Sequence, residues 1–500
     1  MSVCRARSLT LLGIDALPVE VEVDMSAGLP GFSIIGLPDA AVQEARERVR
    51  VAISNSGYKF PTKKVIVNLA PANLRKEGPA FDLPIALAVL AASGTVPLEV
   101  LEGVGVVGEL SLDGGLRGVR GALSMAEGAR REGLPRLILP EPNAAEAASI
   151  GGVGVYGVRT LREAVDFLGG RTQVSQATAA TNGHRETLAA ENDFADVAGQ
   201  RYTKRALEVA AAGGHNILMS GPPGSGKTML ARRLPGILPP LTVEESIEVT
   251  KVHSAAGESR GSLIQTRPFR APHHTISTSG LAGGGSNPRP GEVSLAHHGI
   301  LFLDEFPEFG RNTLEVLHQP LEDGHVTISR VAATLSYPAR VTLVCSMNPC
   351  PCGYAGDKRR ACRCSAGQIE RYQSRISGPL LDRIDLFVDV PRLTREELRA
   401  NERAEPSEVV RGRVAGARET QTGRQGVPNS ALAGRRLREV CAWRRCGVTH
   451  VASHRPDGTL REGTRPCLES GAHRRGPLGR GRHRRRASCG GAQLPEVGAR

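Results

Sequence analysis

The run Gly221-Pro222-Pro223-Gly224-Ser225-Gly226-Lys227-Thr228 places two glycines with four residues between them and follows the second with Lys-Thr. Residues of this type at this spacing wrap a polyphosphate. Glycines let successive backbone N–H groups converge on one anion, Lys227 reaches the β- and γ-phosphates, and the Thr228 hydroxyl holds Mg2+. About 80 residues on, Gly299-Ile300-Leu301-Phe302-Leu303 ends in Asp304-Glu305. An acidic pair after an apolar run is often a solvated strand end. Downstream of a phosphate loop it supplies the missing half of the chemistry: Asp304 binds Mg2+ through its water shell, and Glu305 orients or deprotonates the attacking water. Asn348, after Arg340–Met347, has an amide suited to positioning that water; alone, it would read as a turn residue before Pro349. Arg383, in Ser377–Leu386, is a candidate arginine finger acting on ATP held by a neighbouring subunit, the plainer alternative being an exposed Asp–Arg pair.

These side chains need a scaffold. Asn216–Ser220 reads as a buried strand and Met229–Leu234 as a helix, so the glycine loop sits in a strand–loop–helix context. Ile300–Leu303 reads as a buried parallel strand ending at an active-site edge, and Arg340–Met347 as a third strand whose Asn348 end sits between the other two.

In this order the four elements resemble an AAA+ ATPase, and more closely the ComM/YifB family of magnesium-chelatase-like proteins. The resemblance covers about residues 1–442. It is carried also by Gly28-Leu29-Pro30-Gly31-Phe32, Val67-Asn68-Leu69-Ala70-Pro71-Ala72, Lys76-Glu77-Gly78-Pro79-Ala80-Phe81-Asp82-Leu83-Pro84, Gly291–Gly299 and Asn348-Pro349-Cys350-Pro351-Cys352-Gly353. It implies a homo-oligomeric ring, a hexamer, that uses ATP and Mg2+ and drives DNA branch migration during natural transformation. It also implies that Gly199-Gln200 and the helical run from Tyr202 to Ala212 close over the adenine.

The expected class is α/β, in five parts. Residues 1–170 form a mixed domain whose element order resembles the proteolytic domain of Lon proteases, within the ribosomal-protein-S5-like fold. Its expected elements are strands at Val19–Val23, Lys64–Leu69 and Val104–Leu110, and helices at Ala40–Ser56 and Ala86–Ala92. Lon-type chemistry needs a Ser nucleophile and a Lys base. Here Gly78-Pro79 is followed by Ala80, and Gly114–Arg131 contains no Lys, so the expectation is a binding or ring-organising module. A polar linker at 171–192 leads to the ATPase core at 193–395, and 396–442 begins a helical lid. Residues 443–500 are Arg/Gly-rich and patternless. The family's Leu-Ser-Ala-Arg lid motif is missing there, so this stretch reads as out of frame or as a disordered basic tail, with the lid truncated.

Two insertions interrupt the core. His273–Gly291 holds a glycine-rich run expected to be mobile, with Arg289 within it. Gly324–Thr334 suggests a β-hairpin with Arg330 near its tip. Related ring ATPases point such loops into the pore, which makes Arg330 and Arg289 candidate DNA contacts. Cys350, Cys352, Cys362 and Cys364 form a candidate Zn2+ site, with partly buried reduced thiols as the alternative. The doublets His273-His274 and His297-His298 have no carboxylate or cysteine at ligand spacing in sequence and read as packing or hydrogen-bonding residues.

The net charge of +13 is not spread evenly: Arg444 to Arg500 holds 13 Arg against 4 acids, a balance of +9, leaving +4 for the preceding 443 residues. DNA binding by the body of the chain must therefore rest on local patches. No apolar run approaches the roughly 20 residues of a membrane span, and the N-terminus lacks a convincing signal peptide, so the expectation is a cytoplasmic protein with no membrane partner and reduced cysteines. The expected partners are branched or single-stranded DNA and further copies of the chain. Two other functions stay open: a motor driving a metal-insertion partner, and an ATP-binding regulator without turnover.

Overall fold

Period-two alternation builds the first sheet. Along Asp15–Ser26, Val19, Val21 and Val23 are buried while Glu20 and Glu22 stay half-exposed on the other face. In this computed structural model, residues 3–179, 192–258, 261–285, 288–329, 334–357, 359–394, 397 and 405–432 are described, together with the short pair Ser453–His454 and Leu460–Arg461. Asp15–Ser26 pairs antiparallel with Cys4–Leu12 on one side and Lys64–Ala70 on the other. The seven strands run in the order Gly31–Ile35, Lys64–Ala70, Asp15–Ser26, Cys4–Leu12, Val104–Val106, Arg136–Pro140, Gly154–Val158. Helix Asp82–Ala92 is buried along almost its whole length, as an apolar run such as Leu83–Ala92 requires.

The expected strand Val104–Leu110 breaks in two. Val104–Val106 joins the large sheet, whereas Glu109–Leu110 pairs separately with Leu116–Arg117. Gly108 is the reason: its N–H donates to the Ala80 carbonyl (2.8 Å) and its own carbonyl accepts from Leu83 (3.0 Å). A Cβ there would meet Leu116 at 2.9 Å and Leu83 at 3.1 Å. The chain leaves the sheet to pack against the start of the buried helix. The other expected strands and helices of this domain form close to their predicted bounds.

The second sheet is parallel throughout, in the order Phe269–Arg270, Ile300–Leu303, Thr342–Met347, Ile217–Ser220, Leu386–Asp389. Its short apolar strands are packed on both faces. Parallel strands bring all their C-terminal ends to one edge, so the phosphate loop, Asp304 and Asn348 emerge side by side, with Asn348 in the middle. Helix Ser407–Gln425 packs Val410 and Val414 into this core. Its Arg413 reaches Glu208 (2.8 Å), and its Arg418 donates to the last carbonyls of helix Arg201–Gly213.

Residues 286–287 of the insertion His273–Gly291, at the centre of its glycine-rich run, lie outside the described residues; the rest has local structure. It contains helix Thr278–Ala282 and the antiparallel pair Gly283–Gly284 with Arg289–Pro290. Gly283 serves close approach: a Cβ there, at φ +100°, would sit 2.5 Å from the Arg289 carbonyl. The second insertion is the expected hairpin, His325–Ser329 with Thr334–Pro338. Arg330 lies outside the described residues, as do 180–191 of the linker and the side chains of the 443–500 tail.

The two domains touch. Lys251, on helix Val243–Ala256, is nearly buried between Asp15 (3.1 Å) and Glu127 (2.7 Å) of the N-terminal domain. The turn residues Leu12 and Ile14 pack onto the cluster that contains Leu335 and Tyr337 of the hairpin.

Candidate active site

The site forms along one sheet edge. The phosphate loop leaves Ser220 with Gly224 and Gly226 in left-handed conformations, φ +76° and +90°, which β-carbon-bearing residues rarely adopt. Gly221 has no room for a side chain, because a Cβ would lie 2.2 Å from the Val390 carbonyl of the neighbouring strand's end. Lys227 Nζ donates to the carbonyls of Gly221 (2.7 Å) and Pro222 (3.1 Å) and reaches Asn348 Oδ1 at 3.4 Å. Burial holds its ammonium below the ordinary value, partly opposed by the charge of Asp304. The Gln200 amide donates to the carbonyls of Ser225 (3.2 Å) and Pro391 (2.7 Å), tying the loop to the segment after the last strand.

Asp304 is held from three sides. Thr228 Oγ1 donates to Oδ2 at 2.7 Å, Ser346 Oγ donates to Oδ1, and the Glu305 N–H donates to Oδ1 at 3.1 Å. A hydroxyl and a carboxylate are the hard oxygen ligands that Mg2+ prefers. Ser225 Oγ, buried in the loop with no hydrogen-bond partner among the described residues, is a further donor suited to a phosphate oxygen. These residues fit a Mg2+-nucleotide, with Thr228 and Asp304 on the cation and Lys227 and the loop N–H groups on the phosphates. Glu305 has φ +53° and a half-exposed carboxylate, met by His274 Nδ1 at 3.4 Å. The structure therefore brings together Lys227, Thr228, Asp304, Glu305 and Asn348. It adds three residues that sequence reasoning missed in this setting: Ser346, His274, and Gln200 as a loop tether. Ser346 lay within a strand that had already been identified; its position two residues before Asn348, on the same strand face, was the available signal.

Arg383 lies elsewhere. Its carbonyl accepts from Asn216 Nδ2 (2.8 Å), and its guanidinium pairs with Glu322. Asn216 precedes the strand whose far end carries the phosphate loop. Four strand residues, about 13 Å, separate Arg383 from its own chain's phosphate site.

The four cysteine sulfurs converge. Cys350 Sγ lies 3.4 Å from Cys352 and 3.7 Å from Cys362, Cys352 and Cys362 are 3.6 Å apart, and all four sulfurs lie within 4.8 Å of one another. A tetrahedral zinc with bonds of about 2.3 Å separates its sulfurs by about 3.8 Å. The N–H groups of Ala355 (3.3 Å) and Cys364 (3.4 Å) point at Cys350 and Cys362, as donors that stabilise thiolates do. The thiol set fits Zn2+.

The histidine doublets do meet carboxylates, across the fold rather than along the chain. His297 Nε2 and His298 Nε2 both reach Glu248, at 3.0 and 2.9 Å, and hydrogen bonding to His297 draws that carboxylate down to about 2. The arrangement does not suit a metal. His297 Nδ1 accepts the Arg340 N–H (3.0 Å), so Nε2 carries the ring proton and donates to Glu248. The hydrogen-bonding reading of this pair stands.

Fold and site together define a magnesium-chelatase-like P-loop ATPase of the AAA+ class. The family described as "Magnesium chelatase, subunit ChlI" matches residues 193–398, and "Subunit ChlI of Mg-chelatase" matches residues 21–143. The chain is 46% identical over 444 residues to the uncharacterized protein YifB of Salmonella typhimurium, covering 88% of this chain and 86% of that one. It is 45% identical over 449 residues to the competence protein ComM of Haemophilus influenzae, covering 88% and 87%. The magnesium-chelatase 38 kDa subunit of Rhodobacter capsulatus is 24% identical over 174 residues, 31% of this chain and 50% of that one. The chain belongs to the ComM/YifB family.

Proposed function

We propose that this chain is an ATP-hydrolysing ring motor, a hexamer, that remodels branched DNA during natural transformation. The observation that carries the reading is the division of the site. Lys227, Thr228, Asp304, Glu305 and Asn348 share one edge of the sheet while Arg383 sits at the other end, so a complete site needs a second copy. The relative named as a competence protein supports the process. A pair of exposed arginines supports the substrate: Arg120 and Arg289 lie close enough for their like charges to repel, and a polyanion would relieve that repulsion. The test is steady-state ATP turnover with four-way-junction DNA, linear duplex and no DNA. Stimulation by the junction supports the motor. A flat response, with ATP still bound, favours the regulator or the metal-insertion motor.

Arg289→Ala and Arg330→Ala are each expected to weaken junction binding evenly across sequences and to lower the salt slope by about 1. An unchanged slope in salt titrations removes that residue from the DNA contact.

The chain carries zinc in this reading. Held by the sulfurs of Cys350, Cys352, Cys362 and Cys364, a structural Zn2+ would cross-link a loop too short for a core of its own. Metal analysis of protein purified in reductant is expected to give about one zinc per chain, and none after Cys352→Ser and Cys362→Ser together. The N-terminal domain acts as a ring-organising module rather than a protease, with Ala80 where a nucleophile would stand. Resequencing the DNA for residues 430–500 decides whether another frame restores the lid.

A further inference from the structure

The four-cysteine loop lies against the phosphate loop. It begins directly after Asn348-Pro349, at the nucleotide edge of the sheet, and turns at Gly353 with φ +84°. A Cβ on Gly353 would sit 2.6 Å from Pro223 Cδ and 3.8 Å from Asn348 Cγ, so this backbone packs on both the phosphate loop and the central strand's polar end. Arg392 grips the same point from the other side. It donates to the Pro223 carbonyl (2.9 Å), lies 3.8 Å from Asp357 Oδ2 and has its guanidinium 5.9 Å from the Tyr354 ring centre. The Asp357 side chain is only 4% exposed; its Oδ1 accepts the Arg359 N–H (2.8 Å), and its Oδ2, without a hydrogen-bond partner among the described residues, faces Arg392, so the ion pair helps to offset its burial. Neither Gly353 nor Arg392 belongs to the phosphate loop or to the thiol set.

We propose that this loop is a metal-held clamp that positions the phosphate loop through Gly353 and Arg392, so that nucleotide affinity depends on the thiols keeping their cation. The inference rests on the nucleotide and zinc readings above. Gly353 and Arg392 are positioning residues: they set where Pro223 lies, and through it the N–H groups that receive the phosphates.

The experiment uses the full chain, measuring zinc content and the Kd of a fluorescent ATP analogue in parallel. Gly353→Ala leaves all four thiols but thrusts a methyl at Pro223. It is expected to keep its zinc and to raise Kd by about tenfold or more, with turnover at saturating ATP changed far less. Arg392→Ala is expected to raise Kd similarly, and Arg392→Lys to restore part of it. A zinc-loaded Gly353→Ala with unchanged Kd overturns the clamp. If Gly353→Ala loses zinc, Cys352→Ser decides: weakened binding in that zinc-free chain supports the clamp, and wild-type Kd overturns it. Failure of the nucleotide reading looks different, because Lys227→Ala would then bind the analogue as wild type does.

Discussion

Replacing Arg383 with Ala is expected to slow ATP turnover by about 10³–10⁵ while leaving ATP binding nearly intact, the loss typical of an arginine finger. The guanidinium is 40% exposed and pairs with Glu322. If that pair were its whole role, removal would cost about 0–1 kcal/mol of stability and leave catalysis untouched. Position argues for more. Arg383 is fixed beside Asn216 at the entry end of the central strands, too far from its own phosphate loop to act there, and its guanidinium lies at the surface, paired with Glu322. Mixing gives the decisive measurement. Arg383→Ala chains lack the finger but keep Glu305; Glu305→Gln chains lack the base but keep the finger. If the finger acts across subunits, mixed rings contain some complete sites, and turnover recovers above either variant alone. Unchanged turnover in Arg383→Ala removes the residue from catalysis.

Glu305→Gln is expected to cut turnover by about 10²–10⁴ with ATP affinity retained, the range for loss of a general base. The substitution preserves shape and removes the charge that, in the proposed reading, would draw a proton from water. The Asp304 carboxylate beside it, bonded to Thr228 and Ser346, is left in place to serve the cation, so binding survives. A single-turnover experiment with prebound ATP reads the chemical step directly. A rate within a few-fold of wild type would assign the water to another group. Lys227→Ala is the contrast, because it removes the phosphate contact and should lose binding itself.

Much of this site was legible in the sequence because its parts are local. A phosphate loop needs its glycines and Lys227 within eight residues, and a parallel strand announces its functional end by an apolar run that stops at a carboxylate or an amide. Even the placing of Asn348 between the other two strands was readable. What stayed hidden depends on the chain crossing itself. Ser346 looks like any small strand residue until the neighbouring strand brings Asp304 to its hydroxyl. His274 comes from an insertion 31 positions before Glu305, and no local pattern pairs them. Glu248 meets His297 and His298 from another helix for the same reason. Gly283 reads in the sequence as one residue of a glycine run, yet its backbone meets the Arg289 carbonyl in a crossing that only tertiary structure reveals. Helix Ser407–Gln425 buries few side chains beyond Val410, Val414 and Ala417, too sparse a stripe to mark it in advance.

Lys251 limits how this protein can be cut. Its two carboxylate partners lie 236 and 124 residues earlier in the chain, on the other side of the linker. An ATPase fragment begun at residue 192 would keep the ammonium and lose both counter-charges, and would lay bare the part of the hairpin surface that Leu12 and Ile14 cover. The two halves are therefore poor building blocks. A fragment carrying every catalytic residue is expected to be sticky and less stable than the intact chain, and a recombinant swap of one half would have to bring matching charges at 15, 127 and 251 with it.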